Sequence, residues 1–369
     1  MFSKFFNFLK RLDKYLLAAS VLLVAVGLLM IYSTTFSDPV KSGLFARQLF
    51  FFIAGLGFLI IASGFDYRFL RRAAGTFYVF AVLLLVAVLF FGMNISGSRR
   101  WFSLGFFQMQ PVELAKLALI VFLAAYFQKK LPEIRRFRTV LWSAVIVAIP
   151  VALTLAEPDL GSAMVLGFIW LGMFLAAGVS KKHLAILLLV FLATSAFSWA
   201  YILKDYQKDR IYSFLEPTAD PQGRGYNALQ AITAVGSGGL FGRGFARGVV
   251  SGLRFLPERQ TDFIFASLAE ELGFLGASFL LLLLSVWFLR IIKVIKNSRE
   301  NYGLLLSVGI FSYFFIQTSI NIAMNIGILP ITGVPLPLIS YGGSSLLTSL
   351  ISVGLLQSIV AHGQPVRFR

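Results

Sequence analysis

The sequence predicts an all-α polytopic membrane protein with about ten transmembrane helices. Of its 369 residues, 58% are hydrophobic and 13% are charged, and the mean hydropathy is +0.83. Apolar runs of about 20 residues, the length needed to cross the hydrocarbon core of a bilayer, recur along the whole chain. This composition excludes a soluble globular protein. The absence of cysteine excludes disulfides, thiolate nucleophiles and cysteine metal sites.

The apolar runs divide the chain, treated as a single transmembrane domain over 1–369, into ten predicted spans. The first span follows several basic residues and is too long for a signal-peptide core, so we expect an uncleaved anchor. The spans are Tyr15 to Phe36, Leu44 to Ser63, Ala73 to Phe91, Val112 to Phe127, Thr139 to Leu155, Leu160 to Gly178, Leu184 to Leu203, Asp262 to Ile292, Tyr302 to Leu329 and Ser340 to Ala361.

The basic residues predict the orientation of these spans. Most of the 33 Lys and Arg residues fall in alternate segments, which places those segments and both termini in the cytoplasm. The net charge of +17 then reflects topology and contact with anionic lipids, and no nucleic acid partner is needed to explain it. The long segment 204–261 between spans seven and eight is predicted to be an extracytoplasmic loop.

Acidic residues at membrane depth are the most informative local feature. Asp262, Glu270 and Glu271 open the eighth span, although a charged residue there costs several kcal/mol and persists mainly beside a polar cavity or a partner. The simpler reading is a helix-start acid, stabilised by the helix dipole by about 0.3–1 kcal/mol. The spacing of Asp262, Ala266, Glu270, Gly273 and Ala277 predicts one helix face, suited to a polar cavity or to tight helix packing.

Two further groups of charged residues interrupt apolar spans. Glu157 and Asp159 flank Pro158 between spans five and six, where the proline ends a helix and the acids could simply cap helices. Glu113 and Lys116 lie three residues apart in span four, the spacing of an internal ion pair. The predicted topology places both groups and Asp262 near the outer face, so we expect one outward-facing site.

The extracytoplasmic loop 204–261 carries two patterns of its own. Tyr226 to Leu240 has apolar residues at helical spacing, which predicts a short amphipathic or re-entrant helix. Glycines then alternate with arginines, a composition that suits a phosphate-bearing lipid head group because glycine exposes backbone N–H groups and arginine binds phosphate in a fork. A structural loop is an equal alternative. The loop arginines are Arg224, Arg243, Arg247, Arg254 and Arg259.

Several long motifs, in order along the chain, resemble the SEDS family (shape, elongation, division and sporulation), most closely its rod-shape branch, RodA, with the division branch, FtsW, a close relative. One departure is Val112, where the family more often has serine. The motifs are Leu12-Asp13, GSRRWFSLG from Gly97, QPVELAKLALI from Gln110, EPDLGSA from Glu157, GRGYNALQA from Gly223, GSGGLFGRG from Gly236, FLPERQTDFIFASLAEELGFLG from Phe255 and GVPLPLISYGGSSLL from Gly333.

The resemblance implies a peptidoglycan glycosyltransferase that polymerises lipid II into β-1,4 glycan strands during cell elongation. Its implied location is the outer face of the bacterial cytoplasmic membrane. Its implied partners are a class B penicillin-binding protein acting as transpeptidase, other membrane proteins of the elongation complex, undecaprenyl-linked glycan and membrane lipids. Asp262 occupies the position of the family's essential aspartate. Arg100, Glu113, Lys116 and Asp159 match further motif positions that the family uses.

This chemistry fits the residue types. Glycan extension from an α-linked lipid pyrophosphate inverts the anomeric centre and needs a base for the acceptor 4-OH and positive charge for the leaving pyrophosphate. We predict Asp262 as the base, and Lys116, Arg100, Glu113, Asp159, Arg243 and Arg259 as substrate contacts, with Glu157 and Glu270 in support. Asp262 and Asp159 could also hold a divalent cation, Mg²⁺ or Mn²⁺. No organic cofactor is expected.

Two other function classes stay open at the sequence level. A lipid II flippase or transporter would need charged groups lining a passage to the cytoplasmic side. A non-catalytic scaffold of the cell-wall complex would need apolar packing faces but no aligned carboxylates. The outward clustering of the acids favours the enzyme.

Overall fold

The computed structural model describes residues 11–36, 41–95, 98–105, 107–201, 208, 212, 214–216, 225–248, 256 and 258–363. Within these residues lie helices α1 (Lys14–Thr35), α2 (Gly43–Gly64), α3 (Arg68–Phe91), α4 (Pro111–Lys130), α5 (Phe137–Ala156), α6 (Leu160–Ala176), α7 (Lys181–Tyr201), α8 (Tyr226–Ser237), α9 (Ile264–Asn297), α10 (Asn301–Asn325) and α11 (Gly343–His362). Strands β1 (Met93–Ile95), β2 (Ser98–Leu104) and β3 (Phe107–Met109) lie between α3 and α4.

The helical membrane fold predicted from the sequence is confirmed. Nine of the described helices are long and apolar enough to cross a membrane, and α6, at 17 residues, is a shorter apolar helix at the position of the sixth predicted span. Each of the ten predicted spans therefore corresponds to a helix, although Leu203, the predicted end of the seventh, lies outside the described residues. The chain is a multi-pass membrane protein. Helix α8 lies in the long loop and packs against α9 and α10.

Helices α4, α10 and α11 form the most buried part of the bundle. Helix α2 packs on α11, α1 on α9, and α6 and α4 on α10. Glycine permits several of these close approaches, because a Cβ at Gly27 would collide with the backbone of Ile339 and one at Gly309 with the Ile120 side chain. Among the α7 residues whose burial is described, none is buried, so this helix lies at the edge of the bundle.

The Leu12-Asp13 motif ties three helices together at the predicted cytoplasmic end. The Asp13 carboxylate accepts hydrogen bonds from the backbone N–H groups of Tyr15 and Leu16, capping α1, and forms an ion pair with Arg290 of α9. Gln357 of α11 exchanges two hydrogen bonds with the Asp13 backbone, at 2.8 and 2.9 Å. The motif is therefore structural and lies at the opposite end from the unusual acids.

A small antiparallel sheet lies between α3 and α4, before the fourth predicted span. Strand β2 pairs with both β1 and β3 in the order β1-β2-β3. The three-residue strands β1 and β3 are too short to give a periodic signal in the sequence. The sheet matters for the site because β2 carries Arg100 and the end of β3 leads into Gln110, the N-cap of α4.

Helix α9 is broken, which corrects the prediction of one continuous span from Asp262 to Ile292. Gly273 has φ 67° and ψ −164°, a conformation open to glycine because it lacks a Cβ. The break separates a short helix, 264–272, from the long remainder of α9. It also corrects the predicted single face, since Ala277 lies beyond the break. Asp262 precedes the helix, whose N-cap is Phe263, so it is not a first-turn acid.

The segment 238–246, here called the glycine loop, docks onto this break. The backbone N–H groups of Arg243 and Gly244 donate to the carbonyl oxygens of Glu270 and Glu271, both at 3.0 Å. In return Phe274 donates to Gly239 at 2.8 Å, beyond the break. These bonds satisfy backbone groups that the break frees. The N–H groups of Arg243 and Gly244 are therefore used within the fold, which contradicts their predicted use as an anion cradle.

Close packing of the glycine loop predicts that alanine substitutions at two nearby glycines differ in their effect on stability. A Cβ at Gly238 would collide with the carbonyl oxygen of Ala269, whereas one at Gly236 would meet open space. We expect Gly238→Ala to lower the unfolding free energy by about 1–3 kcal/mol, as overpacking does, and Gly236→Ala to leave it nearly unchanged. Thermal unfolding of both variants in detergent measures the difference. Equal melting temperatures would show that the loop is not tightly docked.

Candidate active site

Asp262 is held by its backbone, and the residue as a whole is partly exposed. Its carbonyl oxygen accepts hydrogen bonds from the side-chain amides of Asn321 and Asn325 of α10, at 2.9 and 3.0 Å. The preceding Thr261 carbonyl accepts from the Ser340 hydroxyl at 2.6 Å. Because these anchors use main-chain atoms, the residue is fixed in place without spending the carboxylate oxygens on them.

The Thr332–Leu336 segment connects Asp262 to the other predicted site residues. Asp262 Oδ2 lies 3.5 Å from the position that a Cβ of Gly333 would take, and Gly333 has φ 72°, which favours glycine. On its other side, a Cβ at Gly161 near the start of α6 would collide with Val334. The Val334 carbonyl accepts from Asn321 at 2.8 Å. This segment therefore packs against Asp262, α6 and α10 at once.

Asp159 is the N-cap of α6 and is 2% exposed. Its Oδ1 accepts from the Ser162 N–H at 3.0 Å, and its Oδ2 accepts from the Ser162 hydroxyl at 3.0 Å and from Gln110 Nε2 at 3.4 Å. Arg100 Nη1 of β2 lies 3.5 Å from the same Oδ2. Asp159 therefore caps α6, as the helix-capping alternative predicted. Its ion pair also brings Arg100, whose side chain is 24% exposed, to the site.

Glu113 and Lys116 form the internal ion pair that their spacing predicted. Lys116 Nζ lies 2.8 Å from Glu113 Oε1 and 2.9 Å from Gln317 Oε1, while the Tyr313 hydroxyl donates to Glu113 Oε2 at 3.2 Å. Lys116 is 0% exposed and Glu113 2%, so neither faces an open surface in this conformation. Gln317 in turn donates to the Pro335 carbonyl at 3.0 Å. The pair therefore supports the Thr332–Leu336 segment, and its contact with substrate stays a prediction.

Glu157 follows the end of α5 and is 1% exposed. Among the described residues, neither carboxylate oxygen has a hydrogen-bond partner. Burial raises the pKa of Glu157 to about 8, and the neighbouring charge of Asp159 raises this pKa further while Arg100 opposes the shift. The carboxyl group is therefore mostly protonated at neutral pH, so it adds little negative charge to the site.

The raised pKa of Glu157 predicts a pH-dependent stability. The folded protein keeps this proton up to about pH 8, whereas the unfolded chain releases it near 4.5, so the free energy of unfolding falls as pH rises between these values. Glu157→Gln removes that dependence. We expect the variant to gain melting temperature over wild type progressively from about pH 5 to about pH 9. A gain that is constant across this range would contradict the assignment.

The remaining predicted residues lie in the glycine loop, in the turn before Asp262 and in the short helix after it. Arg243 is exposed on the glycine loop, with Nε donating to the Ser237 carbonyl at 3.3 Å. Arg259 is buried three residues before Asp262, and its carbonyl accepts from Ser267 at 3.4 Å. Glu270 is fully buried, and its carbonyl oxygen accepts the Arg243 N–H. Arg224 and Arg254 lie outside the described residues.

Several residues that build the site were missed in the sequence. Gln317, Asn321 and Asn325 are spaced four residues apart, and this polar stripe in an apolar span is a signal that could have found them. Gln110 and Ser344 lie inside quoted motifs, but no spacing shows that the Gln110 N–H donates to the Ser344 hydroxyl at 3.0 Å. That contact joins α4 to α11 beside Asp159.

The described residues fit a divalent cation poorly at Asp159. Its two oxygens already take three hydrogen bonds and one ion pair, which occupy the roughly four acceptor positions of a carboxylate. Within the described part of the chain, no three side chains among His, Cys, Asp and Glu form a group that could hold a metal ion. A cation at Asp262 stays a proposal.

Comparison with known proteins identifies the family. The model of the family FTSW_RODA_SPOVE, described as cell cycle protein, matches residues 13–364. The chain belongs to this family. Peptidoglycan glycosyltransferase MrdB of Escherichia coli K12 is 34% identical to this family member over 353 residues, covering 95% of this chain and 94% of MrdB. Stage V sporulation protein E of Bacillus subtilis is 38% identical, covering 95% and 98%.

Solved structures of FtsW/RodA/SpoVE proteins share the fold. One chain, from work on structural coordination of polymerization and crosslinking by a peptidoglycan synthase complex, matches with a TM-score of 0.82 at 31% identity, covering 95% of this chain and 97% of that one. The crystal structure of the rod shape determining protein RodA of Thermus thermophilus matches with a TM-score of 0.71 at 29% identity, covering 96% and 98%. The matches span the whole bundle, including the elements that hold Asp262.

Proposed function

We infer that this protein is a peptidoglycan glycosyltransferase that polymerises lipid II into β-1,4 glycan strands. The relatives named peptidoglycan glycosyltransferase cover nearly the full chain. The observation that carries the inference is the placement of Asp262, a partly exposed residue whose main chain is fixed by Asn321 and Asn325 and whose Oδ2 lies beside Gly333. A positioned, accessible carboxylate is what proton transfer from an acceptor hydroxyl requires.

The proposed reaction forms a bond between the acceptor O4 and the donor C1 and breaks the bond between C1 and the pyrophosphate oxygen, with inversion at C1. Asp262 takes the proton of the acceptor 4-OH. Arg100, partly exposed beside Asp159, stabilises the negative charge that grows on the leaving pyrophosphate. Arg243, exposed on the glycine loop, is a further candidate for that contact. The Lys116–Glu113 pair and Asp159 hold the surrounding backbone in place.

We also propose that a divalent cation binds at Asp262, with water molecules as its remaining ligands. Mg²⁺ and Mn²⁺ both accept carboxylate oxygen and water as ligands, and either would add positive charge near the pyrophosphate. We expect a chelator to lower the polymerisation rate of the purified protein and added Mg²⁺ or Mn²⁺ to restore it. Full activity after thorough chelation would remove the cation from the mechanism and leave the proton-transfer role of Asp262 intact.

We propose that the protein resides in the bacterial cytoplasmic membrane with the Asp262 end facing outward, as the distribution of Lys and Arg predicts. We further propose a class B penicillin-binding protein as partner, supported by the similarity to a chain from a peptidoglycan synthase complex. A role in cell elongation follows the predicted rod-shape branch. The chain is 34% identical to MrdB and 36% identical to the FtsW of Aeromonas salmonicida. These values are too similar to assign it to the rod-shape or the division branch.

Transport of lipid II is the second candidate. A transporter would carry polar or charged groups along a passage, but the charged groups of this site lie at one end of the bundle, where Lys116 pairs with Glu113 and Arg100 with Asp159. The test reconstitutes the purified chain alone in liposomes with lipid II. Glycan polymer formed at a rate that depends on the protein supports the enzyme, whereas lipid movement across the bilayer without polymer supports the transporter. If neither polymer nor lipid movement is observed, the result favours a non-catalytic scaffold.

A further inference from the structure

Glu271 joins three separate parts of the fold. Its side chain is buried at the end of the short helix 264–272. Its Oε1 lies 2.6 Å from the hydroxyl of Ser33 near the end of α1, and Oε2 also accepts from this hydroxyl. The backbone N–H of Ala246 in the glycine loop is shared between Glu271 Oε2 and Ser33 Oγ, both at 3.1 Å. One carboxylate thus contacts α1, α9 and the loop.

The position of this contact follows from the break at Gly273. Because the break interrupts the helix, the segment 264–272 is not held in line by the rest of α9 and must be fixed at both ends by other elements. At its first end, Asn325 accepts the Ala266 N–H at 3.2 Å and, with Asn321, holds the Asp262 carbonyl. At its second end, the glycine loop and Ser33 contact Glu271. Asp262 and Glu271 therefore lie at opposite ends of one short rigid unit.

We propose that Glu271 is a positioning residue for Asp262. Its carboxylate latches the second end of the short helix to Ser33 of α1 and to the glycine loop, and so fixes the direction in which Asp262 presents its own carboxylate. The proposal rests on the function proposed for Asp262. The geometry favours a specific polar latch over general packing, because Glu271 receives two donors, the Ser33 hydroxyl and the Ala246 N–H, from two different elements.

The latch is tested through Ser33, because Ser33→Ala removes one hydroxyl and leaves no buried charge without a hydrogen bond, since Ala246 still donates to Glu271. Ser33→Thr keeps the hydroxyl and serves as the conservative rescue. Ser285→Ala is the matched control, because Ser285 lies on the same broken helix and its hydroxyl donates to the Leu281 carbonyl of its own helix. Each variant is purified as the full chain and compared with wild type in melting temperature.

Two readouts distinguish positioning from general stability. The first is lipid II polymerisation, where we expect Ser33→Ala to lower kcat by about tenfold or more with KM little changed, as loss of orientation does. The second is cleavage by trypsin in or directly after the glycine loop, where the exposed Arg243 and Arg247 are potential sites. Cleavage there should be faster in Ser33→Ala, because local opening exposes the loop backbone. Ser33→Thr and Ser285→Ala should match wild type in both.

Two results would overturn the proposal. One is wild-type kcat in Ser33→Ala, and the other is a loss of kcat that also appears in Ser285→Ala or that follows a fall in melting temperature. Failure of the proposed function would look different, because wild type itself would then form no polymer. In that case the trypsin comparison still decides whether the loop is latched, with equal cleavage rates in wild type and Ser33→Ala counting against it.

Discussion

Replacing Asp262 with asparagine should reduce lipid II polymerisation by about 10²- to 10⁴-fold, the contribution expected of a general base. Asparagine has nearly the same size and cannot take up the proton. The fold should survive, because the contacts from Asn321 and Asn325 go to the main-chain carbonyl of residue 262 and not to its side chain. Polymerisation by purified variant and wild type in the same liposomes measures the effect.

Glu258→Gln is the matched control for this substitution. It makes the same acid-to-amide change four residues earlier in the same turn, on an exposed side chain that contacts Gln260 and Thr261. We expect it to retain most of the wild-type rate. If Asp262→Asn polymerised at the rate of the control, Asp262 would not be the base, and the proton would have to leave through another group.

The buried pair Glu113 and Lys116 predicts the largest effect on stability. In Glu113→Gln, Lys116 would keep its positive charge at 0% exposure without a carboxylate, and breaking a buried ion pair in this way costs about 3–5 kcal/mol. The double variant Glu113→Gln with Lys116→Met removes both charges, and we expect it to regain most of the lost stability. It should nevertheless polymerise slowly, because Gln317 loses the partner that helps to hold it against Pro335.

An exposed pair at the end of α4 provides the control. Lys130 and Glu133 have the same three-residue spacing and a distance of 3.0 Å, but their side chains are 38% and 37% exposed. Exposed pairs contribute about 0–1 kcal/mol, so Glu133→Gln should be nearly neutral in a thermal unfolding measurement. If Glu113→Gln were no more destabilising than Glu133→Gln, the buried pair would not support the bundle as described.

The sequence predicted the membrane spans well because their signal is local. Twenty apolar residues in a row require a helix in the bilayer, since every backbone polar group there must be satisfied within the segment. The first span, predicted over Tyr15 to Phe36, is observed over Lys14–Thr35. The break at Gly273 could not be read in this way, because the residues on both sides of it continue a helical pattern. It depends on bonds to Gly239 and Leu240, more than 30 residues earlier.

The candidate site likewise depends partly on spacing within one helix and partly on contacts between residues far apart in the chain. The Glu113–Lys116 pair was predictable, since three residues along a helix bring side chains together. The acids of the eighth span were predicted as one group, but the structure divides them. Asp262 lies beside Gly333, and Glu271 turns to Ser33. This division follows from the docking of the glycine loop, which no periodicity in the eighth span encodes.

We expect charged groups from separate helices to act together through the Thr332–Leu336 segment. The most direct test of this expectation is a double-mutant cycle on the polymerisation rate, using Asp262→Asn, Lys116→Met in the Glu113→Gln background, and their combination. We propose that Lys116 acts on the placement of Asp262 by way of Gln317 and Pro335, so its loss should add little once the Asp262 carboxylate is gone. Rate losses that multiply in full would show that the two groups act independently and would contradict the account.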